Sequence, residues 1–364
     1  MSTISQTSPF NETTYRAGLI LEAELATPFS AFVGTNPKNA VVVEDRPGNG
    51  RGDAVKLRFA AIPSDRRAKT EGMAIIGQEA TEVEYENSVE LHEAVYDRAI
   101  ENFPTEQNRV SFDLRQEKLT GLAKDWGYYY ERCSINHAVG NTIANAETNP
   151  FCESFGVPVV AQDTAHIYRC RTSAGAVPAS DAAVAADATC VLDSGVIGEL
   201  VNWMTQKDRV AWPFLPCMTP FGELFGLMVH GDGYEQLVQN ISGNDIYDLH
   251  KAAIQGGVEL SGTPFATAEG FIYKKTLVLR NNFMPQGITS SAYQANTRTA
   301  LFFGARMAHR IYGTGFTDGD HIGYTEFKQH DRLSMKTKTL VGSCRNIVNG
   351  QSWACTRVVH YVPS

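Results

Sequence analysis

The side chains best equipped for chemistry are two small groups of carboxylates and imidazoles. They are His230 and Asp232 in His-Gly-Asp-Gly, and Asp318, Asp320 and His321 in Thr-Asp-Gly-Asp-His. Carboxylate oxygens and imidazole nitrogens are donors for divalent cations. Both groups lie among glycines, where short acidic side chains serve turns, so a polar turn is the simpler reading of each and no metal site is assigned. The chain has no Gly-x-x-x-x-Gly-Lys-Ser/Thr phosphate loop, no Gly-x-Ser-x-Gly nucleophile elbow and no His-Glu-x-x-His zinc helix. Its nine histidines form no cluster along the sequence. Neither catalytic residues nor a cofactor site is therefore expected. Arg51-Gly52-Asp53 spells an adhesion tripeptide but opens an expected strand. Asn11-Glu12-Thr13 and Asn240-Ile241-Ser242 are glycosylation sequons, and residues 1–10 lack the basic-then-apolar pattern of a secretory signal, so none of these is read as functional. The cysteines Cys133, Cys152, Cys170, Cys190, Cys217, Cys344 and Cys355 are odd in number and contain no Cys-x-x-Cys, which points to reduced thiols.

With 364 residues, one large or two interleaved domains are expected. Hydrophobic residues at 43% and charged residues at 20% exclude a disordered or collagen-like chain. Thirty-two Lys plus Arg against forty Asp plus Glu leave a net charge of -8, the wrong sign for coating nucleic acid by bulk charge, so any contact with DNA needs a local patch. No run approaches the roughly 18–20 apolar residues that cross a bilayer, and no membrane partner is expected.

The elements that must position any site follow from periodicity. Residues 1–50, interrupted by Pro28, Pro37 and Pro47, read as an extended arm with one short helix at 13–26. Val55, Leu57 and Phe59 then alternate with Lys56 and Arg58, and Val83 and Tyr85 alternate with Glu82, Glu84 and Glu86, so residues 51–92 read as a long hairpin. Basic residues (Arg51, Lys56, Arg58, Arg66, Arg67, Lys69) occupy the outgoing arm and acidic ones (Glu79, Glu82, Glu84, Glu86, Glu90, Glu93) the return, so the arms can pair by charge. An arm of about 14 residues reaches roughly 45 Å, about twice the radius of gyration of a compact chain this long, so the hairpin is expected to leave its own subunit. Two solvated edge strands of an ordinary sheet are the alternative.

Leu119, Leu122, Trp126, Tyr129 and Cys133 recur at helical spacing, which predicts a long helix over 105–141 with a solvated charged face that includes Lys124, Glu131 and Arg132. The alanine-rich residues 174–190 read as a surface excursion or a loop between lobes. Helices are expected after Asp193, over 245–254 before Gly256-Gly257, and over 298–312; strands over 224–229, 271–279, 338–348 and 353–361 complete an α+β pattern.

This order of elements resembles the major capsid protein of tailed bacteriophages, with the Hong Kong ninety-seven coat fold, and most closely the N-four-type capsid family. The motifs are Gly52-Asp53-x-Val55-x-Leu57, Glu82-x-Glu84, Phe112-Asp113-Leu114-Arg115, Asp125-Trp126, Met228-Val229-His230-Gly231-Asp232 with Leu237, Leu249-His250-Lys251-Ala252-Ala253, Gly262-Thr263-Pro264-Phe265, Gly270-Phe271-Ile272-Tyr273 and Arg298-Thr299-Ala300-Leu301-Phe302-Phe303-Gly304-Ala305. They span residues 52–361. His230-Gly231-Asp232 stands where the family more often has a His-Pro pair, and residues 174–190 match no family element. The resemblance implies an N-terminal arm (1–50), an E-loop hairpin (51–92), a peripheral domain with spine helix (93–192), an axial domain (193–295) and a return to the peripheral domain (296–364). It implies self-assembly into hexamers and pentamers of an icosahedral phage head around double-stranded DNA, located in the virion and without catalysis. Implied partners are further copies, a scaffolding protein, a portal, a decoration protein, and DNA touching the inner surface non-specifically. Val55, Leu57, Arg58, Phe59, Arg66, Arg67, Glu82, Glu84 and Glu86 are the expected intersubunit contacts. An encapsulin-like nanocompartment shell and a cytosolic α+β enzyme are the competing readings.

Overall fold

The computed structural model describes residue 29 and residues 32–46, 54–61, 83–100, 114–145, 155–206, 210, 212–219, 222–240, 270–289, 292–313, 323–329 and 332–363. Among these the chain runs β1 (Val33–Gly34), β2 (Val41–Arg46), β3 (Ala54–Ala61), β4 (Val83–Glu90), β5 (His92–Ile100), α1 (Leu114–Val139), β6 (Ile167–Arg169), α2 (Asp181–Ala185) and α3 (Ser194–Thr205). It continues with β7 (Cys217–Thr219), β8 (Gly222–Val229), α4 (Gly231–Asn240), β9 (Gly270–Tyr273), β10 (Thr276–Arg280), β11 (Gly287–Ile288), β12 (Tyr293–Gln294), β13 (Thr297–Phe303) and β14 (Ala308–Gly313). The last strands are β15 (Gly323–Gln329), β16 (Arg332–Arg345), β17 (Ile347–Val348), β18 (Gln351–Ser352) and β19 (Cys355–Tyr361). The expected helices over 13–26 and 245–254, and the Thr-Asp-Gly-Asp-His group, lie outside the described residues.

Helix α1 is the expected long helix. No proline interrupts its sequence, and it stops where Gly140 takes a left-handed φ of 71°. Gly140 N then donates to His137 O and Asn141 N to Asn136 O at 2.9 Å, satisfying carbonyls that would otherwise be left open. The helix lies between two sheets. Trp126, Tyr130 and Cys133 pack with Phe155, Tyr312 and Val341 toward the six-stranded sheet, and Ile135, Ala138 and Val139 pack with Met228, Leu301 and Phe303 toward the seven-stranded one.

The six-stranded sheet is ordered β1-β2-β14-β16-β15, with β5 on the other edge of β16. The long β16 carries β15 along Arg332–Lys338 and β14 along Val341–Arg345, while β5 pairs with Leu333–Val341. Strands β1 and β2 come from the region read as an extended arm, and β2 runs parallel to β14. The seven-stranded sheet is ordered β6-β19-β13-β8-β10-β9, with β7 on β8. Strand alternation divides its two faces: Phe225, Leu227, Val229 and Phe302 meet Ile197, Leu200 and Met204 of α3 and Leu237 of α4, whereas Leu224, Met228, Leu301 and Phe303 meet α1. Gly226 permits the close approach of β8 to β13, because a Cβ there would lie 2.2 Å from the Phe303 ring.

One expectation is corrected. Residues 298–312 form strands β13 and β14 instead of a helix. Strand β13 is buried on both faces, so its continuous apolar run carries no alternation to set it apart from a buried helix segment, and Arg306 at φ 59° makes the turn into β14. The alanine-rich stretch is largely exposed, but Ser180 caps α2 by accepting from Ala183 N, and Val184 and Cys190 enter the core on the face of α3.

Candidate functional site

Strands β3 and β4 form their own two-stranded antiparallel sheet, outside both large sheets. Its register runs from Ala54↔Glu90 to Ala61↔Val83, with Arg58 opposite Glu86, Phe59 opposite Tyr85, and Glu84 opposite Ala60. The expected charge pairing across the arms is present as Lys56 Nζ to Glu86 Oε2 at 3.1 Å, between two well-exposed side chains. Arg66, Arg67 and Glu82 lie outside the described residues. Of the expected contact residues, Val55, Leu57, Arg58 and Phe59 sit on β3 and Glu84 and Glu86 on β4.

The root of this hairpin is fastened to its own chain. Leu57 is only 7% exposed and clusters with Val89, Ile311 of β14 and Val348 of β17. Tyr85 meets Trp212 edge-on at 5.7 Å, and Trp212 leans on Trp353 at 5.5 Å. Asn87 Nδ2 donates to Asn346 Oδ1 at 3.3 Å. Leu57 thus anchors the root of the hairpin to its own chain. The two tryptophans were not anticipated, since isolated aromatics give no sign of which strand they will cover.

Buried charge holds the sheets and helices in fixed relation. Asp181, at the start of α2, receives Arg169 Nε at 2.9 Å, Arg357 Nη2 at 3.0 Å and the Ile288 backbone N–H at 3.0 Å. Arg345 of β16 bonds the side chain of Gln162 and donates to the carbonyls of His137, Val160 and Ala161, locking the segment after α1 to the six-stranded sheet. Arg310 donates to Ser134 Oγ at 2.8 Å and lies 4.9 Å over the Tyr130 ring. Burial would raise Asp163, but hydrogen bonds from His166 and the Ser352 backbone hold it down at about 2.

Glu131 corrects the reading of a fully solvated charged face on α1. It is 1% exposed and accepts a hydrogen bond from Asn281 Nδ2, which follows β10. Burial pushes its carboxyl up to about 8, against the opposing pull of Asn281 and Arg310. The unfolded chain releases this proton near 4.5 and the folded chain near 8, so folding is least penalised below pH 4.5 and stability falls as pH rises through that window. The loss is on the order of 3 kcal/mol by pH 7. Glu131→Gln is expected to be more stable than the parent, by a margin that grows from pH 5 to pH 8.5 in guanidinium titrations; a margin independent of pH would refute a protonated Glu131.

The His-Gly-Asp-Gly group is not a turn. Gly231 opens α4, His230 Nδ1 lies 2.9 Å from Asp232 Oδ2, and Arg298 Nε approaches the same oxygen at 3.3 Å. Among the described residues no three His, Cys, Asp or Glu side chains converge as metal ligands. No helix there is long and apolar enough to cross a membrane.

What decides the architecture is the combination of a hairpin outside both large sheets, a long helix between those sheets, and solved structures that superpose on nearly the whole chain. The chain has the fold of tailed-phage major capsid proteins, of the Hong Kong ninety-seven type. The capsid of Ralstonia phage GP4 is similar with a TM-score of 0.68 at 17% identity, covering 92% of this chain and 90% of that one. The capsid of cyanophage Pam1 aligns with a TM-score of 0.61 at 12% identity over 93% and 92%. The capsid of Helicobacter pylori bacteriophage KHP30 aligns with a TM-score of 0.59 at 11% identity over 93% and 91%. No family model matches the chain, and no curated protein matches it. The capsid fold is thus retained where sequence identity is low, which is the behaviour of an architecture specified by burial pattern.

Proposed function

We propose that this chain is the major capsid protein of a tailed bacteriophage, assembling as hexamers and pentamers into an icosahedral head around double-stranded DNA. The observation that carries the reading is the likeness of fold over nine-tenths of both chains, with a hairpin that belongs to neither large sheet. The role is structural and non-enzymatic. Charges on the hairpin arms, Arg58, Arg66, Arg67, Glu82 and Glu84, with Glu86 beside its own Lys56, engage neighbouring copies. Exposed pairs contribute at most about 1 kcal/mol each, so their part is register and specificity. N-four-type membership belongs to this reading and rests on the motif series. So does the division into arm (1–50), E-loop (51–92), peripheral and axial domains, with the qualification that the seven-stranded sheet draws strands from both sides of residue 295. A scaffolding protein and a portal, with room for a decoration protein, are the partners this reading implies, and the virion is its location.

The test is expression of the full chain with light scattering and negative-stain electron microscopy, without and with crowding agents. Closed shells, or rings of five and six, are expected, and a head-sized diameter separates a phage capsid from a small nanocompartment. Persistent small oligomers under crowding and with a scaffold co-expressed would overturn it.

A further inference from the structure

His360 lies on β19 opposite Arg298 of β13, and the first turn of α4 rests on its ring. A Cβ on Gly233 would fall 2.5 Å from the His360 Cε1 and 2.7 Å from its Nε2, so only glycine lets the helix come this close. The ring is fully buried, and neither of its nitrogens has a hydrogen-bond partner. A neutral imidazole has one N–H and one lone pair to satisfy, whereas an imidazolium brings two N–H groups and a charge.

The surroundings are arranged against that charge. Arg298 from β13, His230 from the end of β8 and Asp232 from α4 act on the ring, and Arg280 from β10 acts on His230 in turn. Asp232 is the one carboxylate in this set, and it is already engaged by His230 at 2.9 Å and Arg298 at 3.3 Å. The positive end of the α4 dipole lies at the same corner. Burial above all, with His230 and Arg298, outweighs the Tyr361 backbone and Asp232 and holds His360 down to about 4; burial and Arg298 lower His230 as well. Other ties between α4 and the sheet are few. Gln236, a turn further along α4, donates its Nε2 to Tyr361 O at 2.9 Å, while its Oε1 is buried without a partner. Tyr234, Leu237 and the half-buried Val238 are what α4 gives to the core.

We propose that this corner is a proton-operated latch: neutral His360 holds α4 on the seven-stranded sheet, and its protonation releases α4 while the rest of the fold stays formed. The inference stands on the fold alone and holds whether or not the chain builds shells. The released segment takes up its proton near 6.5 and the latched one near 4. The latch is therefore at full strength above pH 6.5 and weakens as pH falls toward 4, by up to about tenfold per pH unit in the ratio of closed to open. Glu131 works in the opposite direction on α1, which gains as pH falls from 8 to 4.5, and Asp163, held at about 2, acts only below 3.8.

The test is hydrogen exchange read by mass spectrometry on the full chain between pH 7 and pH 4.5, corrected for intrinsic exchange rates, with peptides of α4 compared against peptides of α1. Protection of α4 is expected to fall at least about tenfold over that range, while α1 holds or gains. His360→Gln, uncharged at every pH, is expected to keep α4 equally protected at both ends. Gly233→Ala lifts the helix off the ring; it is expected to lower α4 protection already at pH 7 and to shrink the further fall toward pH 4.5. A parent chain whose α4 protection does not change with pH, loss of α1 protection in step with α4, or an undiminished fall in His360→Gln would each overturn the proposal. If circular dichroism shows that His360→Gln does not fold, Gly233→Ala decides, and a pH dependence equal to the parent's overturns it.

Discussion

A chain in which an Asn-Gly turn replaces residues 62–82 is expected to fold as well as the parent and to form no shells. The ladder of β3 and β4 ends at the Ala61↔Val83 pair, so a two-residue Asn-Gly turn closes it with the twist its strands require. The root contacts remain, since Leu57, Val89, Tyr85 and Asn87 all lie below the cut. What is lost is residues 62–82 with the charges at Arg66, Arg67 and Glu82, which the proposed function assigns to contacts with neighbouring copies. Light scattering and microscopy read assembly, and thermal melts with circular dichroism read the fold. Arg66→Glu with Arg67→Glu is the narrower form of the same experiment and is expected to give the same block through charge alone. Shells of normal size from the shortened chain would remove the hairpin from any clasping role.

Asp181→Ala is expected to produce the largest loss of stability of any single exposed-looking position in the sequence, about 3–5 kcal/mol. Its side chain is 2% exposed and answers two guanidinium groups and one backbone N–H, and Arg357 is itself buried on the central strand β19. Removing the carboxylate leaves Arg357 without its counter-charge inside the protein. Alanine suits the first turn of α2 at least as well as aspartate, so the loss does not come from helix propensity. Denaturant titration measures it, and limited proteolysis is expected to cut within residues 174–190 once α2 releases. Asp181→Ala combined with Arg357→Met should recover part of the loss, because both charges then leave the interior together. A loss under about 1 kcal/mol for the single variant would mean that Arg357 reaches water by rearranging.

Burial also explains why these two residues escaped a reading of the sequence. An aspartate among alanines carries no pattern, and its partners stand 12 residues before it and 176 residues after it. The one available signal was Arg357 next to Val358-Val359 in an expected strand, since a charge on a buried strand demands a partner somewhere.

The sequence by itself determined the elements whose side chains obey a single period. Trp126, Tyr129 and Cys133 mark α1, and Gly140 stops it within a residue or two of the expected end. Alternation on residues 54–61 and 83–90 marks the hairpin, because one face of each strand must differ from the other when only one is covered. Asp193 announces α3 as its cap, accepting from Val196 N at 2.9 Å. Tertiary structure decided the rest. Strand β13 is covered on both faces, so Ala300-Leu301-Phe302-Phe303 loses the alternation that would have told it from a helix. Glu131 reads as solvent-facing until Asn281, 150 residues away, closes over it. Leu57 belongs to a strand that looks ready for a neighbour, yet Ile311 and Val348 reach it first within the same chain. Period and caps are local properties, written within one or two turns of chain, whereas which face is covered, and by what, depends on contacts between residues hundreds of positions apart.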